Sequence, residues 1–142
     1  MAVVYFDASA FVKLANDEWG SDLVADLWNQ QDAAVASPLT YAETRAALAA
    51  SHHNRLLSAA QLARAVATID DYWRDVRPIA LTPAVTRTAG HIAQSHSLRG
   101  ADAIHLASAL EVSDADVVVA VWDRRLHAAA LAEGLPVAPG SI

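Results

Sequence analysis

The chain has 142 residues, the size of one ordinary domain, and 54% of them are hydrophobic, enough for a sizeable core. Mean hydropathy is only +0.22, no apolar stretch approaches the ~20 residues of a membrane helix, and the lack of cysteine excludes disulfides and thiolate metal sites. The net charge of −6 argues against a nucleic-acid binder, because such domains are often basic, unless several acids share one site and a cation cancels part of their charge.

The first strand is expected over about Ala2–Phe6, from the run Val3-Val4-Tyr5-Phe6. No basic leader or cleavage site precedes it, so no secretory signal is expected and a cytoplasmic location is the expectation. Asp7 stands where an N-cap belongs, ahead of a short helix to about Ala15. Gly20-Ser21-Asp22 opens a helix carrying Leu23, Val24, Leu27 and Trp28, and Ala33–Ala36 reads as a second strand. Ser37-Pro38 starts a third helix over Leu39–Ala50, with proline at a favoured first-turn position. Ser58 caps a helix to about Arg74, Arg77–Leu81 reads as a strand, and Thr82-Pro83 opens a helix to about His96. A helix over Ala101–Glu111 and a strand over Asp116–Val121 follow. The last helix, Arg124–Glu133, is closed by Gly134 and Pro136, and Pro136-Val137 adds an edge strand. Strands alternating with helices imply one α/β domain, residues 1–142, with a parallel sheet of four to five strands between helices.

Two acids follow apolar strands, Asp7 after Val3–Phe6 and Asp123 after Val117–Trp122. Such β-branched runs read as buried parallel strands, and open α/β sheets bind ligands beyond the carboxyl ends of their strands. Two further acids lie on helices, where spacing three and four apart marks a shared face. Glu43 shares one with Leu39, Ala46, Ala47 and Ala50, and Asp102 shares one with Leu98, Leu106 and Ala109. Both are therefore expected to point into packed surface, where acids need a partner or a metal. Like charges about 4 Å apart repel by roughly 4 kcal/mol at an effective dielectric of 20. Mg2+, or Mn2+ in its place, relieves that repulsion through carboxylate oxygens and retained waters. The plainer readings are helix caps for Asp7 and Asp123, a groove-edge residue for Glu43 and a first-turn acid for Asp102. Ser9 is either a local cap or the group that orients Asp7, and His105, one turn after Asp102, reads as a core histidine rather than a ligand.

The chain resembles the PIN-domain family, specifically its VapC-type toxin ribonucleases. The carriers are Tyr5-Phe6-Asp7-Ala8-Ser9-Ala10, Ser37-Pro38-Leu39-Thr40-Tyr41-Ala42-Glu43, the segment from Leu98 to Ala109, and Trp122-Asp123-Arg124-Arg125-Leu126. Each is weak alone; four in order span the whole chain. The resemblance implies a PIN-like three-layer α/β/α fold and a metal-dependent endoribonuclease, the toxin of a VapBC-type module. It carries the acidic quartet to Asp7, Glu43, Asp102 and Asp123, direct metal ligation to Asp7, Asp102 and Asp123, and the supporting hydroxyl to Ser9. It also implies RNA as substrate, a VapB-like antitoxin, a homodimer and a toxin–antitoxin hetero-oligomer. One departure is Val121, where many relatives have Ser or Thr two residues before the last aspartate.

Lys13, Arg45, Arg99, Arg124 and Arg125 lie near the acids in sequence or on the same elements and are candidates for the RNA backbone. Trp19, Trp28, Tyr72 and Trp73 are either core or a groove for the antitoxin tail. Three rival readings exist: an aspartyl-nucleophile phosphatase, which wants an acid at position 9; a phosphorylated receiver, which wants a late lysine; and a PIN fold that binds without cutting.

Overall fold

In a computed structural model, which describes residues 2–142, the strands β1 (Val3–Phe6), β2 (Ala33–Ala36), β3 (Val76–Pro78), β4 (Val117–Ala120) and β5 (Val137–Ala138) form one sheet. Their order is β3-β2-β1-β4-β5 and every pairing is parallel. β1 is central. The chain builds outward from it through β2 and β3, then returns to its other side with β4, so the order reverses at the β1–β4 boundary. Clefts at such a reversal, beyond the carboxyl ends of the strands, are where doubly wound sheets bind ligands.

Side chains alternate across the sheet, as the two-residue period of a strand requires. Val4 and Phe6 join one core with Phe11, Val24, Leu48 and Ile69. Tyr5 faces the opposite core with Val119, Val121, Leu106 and Leu126. The helices divide accordingly. Helices α1 (Ala8–Phe11), α2 (Ser21–Gln30), α3 (Leu39–His53) and α4 (Ala59–Trp73) supply the first core. Helices α5 (Pro83–His96), α6 (Gly100–Glu111) and α7 (Arg124–Ala132) supply the second. The three-layer α/β/α arrangement is the one expected, with five strands.

Most boundaries fall within a residue or two of expectation, and two elements show instructive differences. α3 continues past Ala50 to His53, and the His52 Nδ1 contact with the Leu57 carbonyl at 2.9 Å ties that extra turn to the following loop. β3 sits nearer the N-terminus, because Val76 is buried and pairs with Ala34 while Leu81 is exposed. Of the four outlying aromatics, Trp28 packs on Phe6 and Tyr72 at ring distances of 5.5 and 4.9 Å, and Trp73 on Phe11 at 5.8 Å. These three extend the first core. Trp19 is 74% exposed.

The loop into α2 is held by Gly20, whose φ is +93°. A Cβ there would lie 2.7 Å from the Trp122 ring, so both the backbone conformation and the close approach need glycine. Gly20→Ala is expected to lower stability by about 1–3 kcal/mol, read as a drop in urea midpoint; an unchanged midpoint would show that Trp122 and the loop do not meet this closely.

Candidate active site

Phe6 pairs with Ala120 across β1 and β4, and the Asp7 amide donates to the Ala120 carbonyl at 3.1 Å. Asp7 thus leaves β1 beside the end of β4. Its carboxylate is 5% exposed as a residue and caps α1, Oδ2 accepting from the Ser9 amide at 3.2 Å and the Ser9 hydroxyl at 2.6 Å. The same hydroxyl accepts from the Trp122 amide at 2.8 Å. Ser9 therefore ties the end of β1 to the segment that leads into Asp123. Asp123 caps α7, its Oδ1 accepting from the Leu126 amide at 2.9 Å. Both strand-end acids are helix caps, as the plainer reading expects. Capping occupies one oxygen of each carboxylate and so is compatible with ligation through the other.

Val121, which replaces the usual hydroxyl residue, is fully buried in the second core. Its amide donates to the Ala138 carbonyl at 3.0 Å, so this position is fixed by backbone and packing.

Asp102 lies in the first turn of α6, 8% exposed, packed as its neighbours Leu98, Leu106 and Ala109 predict. Arg99, three residues earlier, donates through Nε to Asp102 Oδ2 at 3.1 Å. Glu43 does not sit as expected. Ala46, Ala47 and Ala50 on its face of α3 are exposed and Leu39 is half-buried; the packed face carries Thr40, Thr44 and Leu48. The Glu43 side chain is 39% exposed and looks outward from the helix rather than into packed surface. Its Oε1 is bound by His105 Nε2.

His105 is the residue that sequence reasoning underrated. It is a core histidine, 1% exposed, and it also joins the acids, its Nε2 meeting Glu43 Oε1 and lying 3.4 Å from Asp7 Oδ1. Burial works against its protonation, but the bond to Glu43 and the charges of Asp7, Glu43 and Asp102 outweigh it and hold its pKa above the ordinary value. Arg99 is raised by its bond to Asp102, then by the charges of Asp102, Asp123 and Glu43. Asp7 and Glu43 thus meet at His105 Nε2, while Asp102, one turn earlier on α6, is held by Arg99. Tyr5, fully buried, was also missed; its hydroxyl contacts His105 Nδ1 at 2.7 Å. The available signal was that a buried histidine must find partners at both ring nitrogens.

Lys13 is not available to a backbone phosphate. It is buried, donating to Glu18 Oε1 at 2.9 Å and the Trp19 carbonyl at 2.7 Å, with its charge 5.0 Å from the Trp122 ring. This also removes the lysine a receiver module would need. Arg45 donates to the Tyr41 hydroxyl at 2.7 Å; Arg124 and Arg125 are exposed at the start of α7.

Among the described residues, no three acidic or histidine side chains close around a single point. The donors still suit a hard cation: all are carboxylate oxygens, two of the carboxylates are buried, and Mg2+ is commonly held by one or two carboxylates with waters completing its shell. Replacing Ser9 by Ala leaves Asp7 Oδ2 and the Trp122 amide each short of a partner, and is expected to cost about 1–3 kcal/mol of stability by urea unfolding; a loss below ~0.5 kcal/mol, the floor for one net hydrogen bond, would mean that Ser9 does not join the two strand ends.

A three-layer sheet with an acid following each strand at its topological switch is the class of fold and site seen here, and the PIN domain family model matches residues 4–132. The chain belongs to the PIN-domain family. It is 55% identical over 142 residues to Ribonuclease VapC45 and, equally, to Ribonuclease VapC49, both of Mycobacterium tuberculosis (strains CDC 1551 / Oshkosh and ATCC 25618 / H37Rv), covering 100% of this chain and 99% of each relative. The crystal structure of PAE2754 from Pyrobaculum aerophilum is similar in fold, with a TM-score of 0.67 and 21% identity over 99% of this chain and 88% of that one.

Proposed function

We propose that the chain, acting as a single domain over residues 1–142, is a VapC-type toxin that cuts RNA phosphodiester bonds with Mg2+, or Mn2+ in its place. The observation that carries the reading is the pair of acids that follow β1 and β4, Asp7 and Asp123, with Glu43 and Asp7 both at His105 Nε2 and Asp102 one turn before that histidine. Full-length identity of 55% to two proteins named as VapC ribonucleases supports it.

Asp7, Asp102 and Asp123 are the residues assigned to hold the cation, which when bound neutralises charge and brings the pKa of the attacking water towards neutrality. Ser9 fixes Asp7 in rotation, and the α7 cap fixes Asp123. Glu43, on the open side with His105 on one oxygen, is assigned to accept the proton of the attacking water. In-line attack leaves a 5′-phosphate and a 3′-hydroxyl. Arg99, Arg124 and Arg125 flank the acids and are assigned to the RNA backbone.

The partner is assigned as a VapB-like antitoxin, with homodimers and toxin–antitoxin hetero-oligomers as the assemblies and the cytoplasm as the compartment. Among the described residues no helix is long and apolar enough to cross a membrane. With Trp28, Tyr72 and Trp73 packed on the core, Trp19 is the aromatic best placed to anchor a partner.

Asp7→Ala and Asp102→Ala are each expected to cut RNA cleavage by roughly 100-fold or more, since loss of even an outer partner of a metal site commonly costs about 10–100-fold. EDTA should abolish it. Cleavage by Asp7→Ala at the wild-type rate would contradict the assignment. Arg124→Glu is expected to weaken RNA binding and to flatten its salt dependence by about 0.7 in log–log slope for each phosphate that the side chain no longer neutralises. An unchanged slope would remove Arg124 from the RNA path.

A further inference from the structure

His105 stands between a buried phenol on one side and two of the four acids on the other. Its ring is edge-on to Tyr5, with centroids 6.1 Å apart. The Tyr5 oxygen accepts from the Ser37 amide at 3.2 Å, which leaves its own hydrogen for His105 Nδ1 at 2.7 Å. Tyr5 keeps that hydrogen, because a tyrosine hydroxyl is ordinarily protonated at neutral pH. Nδ1 is therefore the acceptor in the neutral ring, and the hydrogen-bond partners assign the hydrogen to Nε2. That nitrogen faces Glu43 Oε1 and Asp7 Oδ1. In the doubly protonated ring Nε2 carries a hydrogen as well, so a donor faces the acids in either form.

We propose that His105 is a positioning residue, its ring oriented by the Ser37 amide and the Tyr5 hydroxyl so that Nε2–H holds Glu43 toward Asp7. Glu43 needs such a tether. It sits on an outward helix face with exposed alanines beside it, where an unheld glutamate keeps its rotamer freedom and only occasionally meets the other acids. Asp7, in contrast, already has Ser9 and the α1 cap. The tether joins an acid of α3 to the acid at the end of β1 through a side chain from α6, so three elements set one spacing. The role in cation binding and RNA cutting rests on the nuclease reading above; the orientation of the ring does not.

Three variants separate this role from simple core packing. Tyr5→Phe removes only the hydroxyl. His105→Gln keeps an N–H near the position of Nε2, whereas His105→Asn places its N–H near Nδ1. Long-range proton–nitrogen correlation spectra of the metal-free protein, recorded at a pH high enough for the ring to be neutral, are expected to show a hydrogen on Nε2 of His105 in the wild type and a mixture of tautomers in Tyr5→Phe. Mn2+ affinity, read by electron paramagnetic resonance, is expected to fall about 10–100-fold in His105→Asn, the usual loss for a ligand-orienting group, and to be largely restored in His105→Gln. RNA cleavage should lose kcat with KM little changed. A hydrogen on Nδ1 alone in the wild type overturns the proposal, and so does equal, wild-type Mn2+ affinity in the Asn and Gln variants. Where His105→Asn fails to fold, the tautomer shift in Tyr5→Phe decides, its absence overturning the proposal. A wild type with the Nε2 hydrogen, giving way to a mixture of tautomers in Tyr5→Phe, that neither binds Mn2+ nor cuts RNA sustains the ring's orientation and sinks the nuclease reading instead.

Discussion

The parallel pairing of β1 with β4 is the constraint on which the site depends. Phe6 opposite Ala120 brings two chain segments, more than a hundred residues apart, to the same edge of the sheet. A shift of one residue in that register would turn Val4, Tyr5 and Phe6 to the wrong cores, so the hydrophobic pattern that stabilises the fold also fixes where Asp7 emerges. The Ser9 hydroxyl completes the junction by bonding Asp7 and the Trp122 amide together. Packing and chemistry are here the same specification: the strand that buries Phe6 at full depth delivers a carboxylate in the next position.

Gathering acids carries an electrostatic cost that the protein offsets in parts. Arg99 neutralises Asp102 from the solvent side, His105 bridges Glu43 and Asp7 from the core side, and backbone amides at two helix starts take one oxygen each of Asp7 and Asp123. These partners act at the margins of the cluster, and a cation completes the compensation in the proposed working state. The arrangement also divides the acids by environment. Asp7 and Asp102 are buried and held, whereas Glu43 is open to water and tethered at one oxygen. That division is the physical basis for assigning ligation to Asp7 and Asp102 and proton transfer to Glu43, with Asp123 joining the ligands from its fixed place at the α7 cap.

Much of this was legible in the sequence because strands with long β-branched runs announce themselves, and an acid directly after such a run has few places to go. Asp102 was legible for a related reason: Leu98 and Leu106 can be placed inside with little ambiguity. Glu43 was read on the right helix with the wrong surroundings, because alanine is as common on an open face as in a packed one and Ala46, Ala47 and Ala50 carry no directional signal. The Tyr5–His105 hydrogen bond, spanning a hundred positions, follows only from the sheet's alternation together with the placement of α6, which periodicity does not supply. Lys13 lies near Asp7 in sequence, yet the turn after α1 carries it to Glu18 and the Trp122 ring; proximity along the chain did not predict direction.

Anomalous diffraction from crystals of the wild-type chain grown with Mn2+ would test the central claim most directly. The account predicts a peak within ligation distance of carboxylate oxygens of Asp7, Asp102 and Asp123, on the side of the cluster faced by Glu43. Saturating Mn2+ with no peak at these carboxylates, or a peak only elsewhere on the surface, would contradict it.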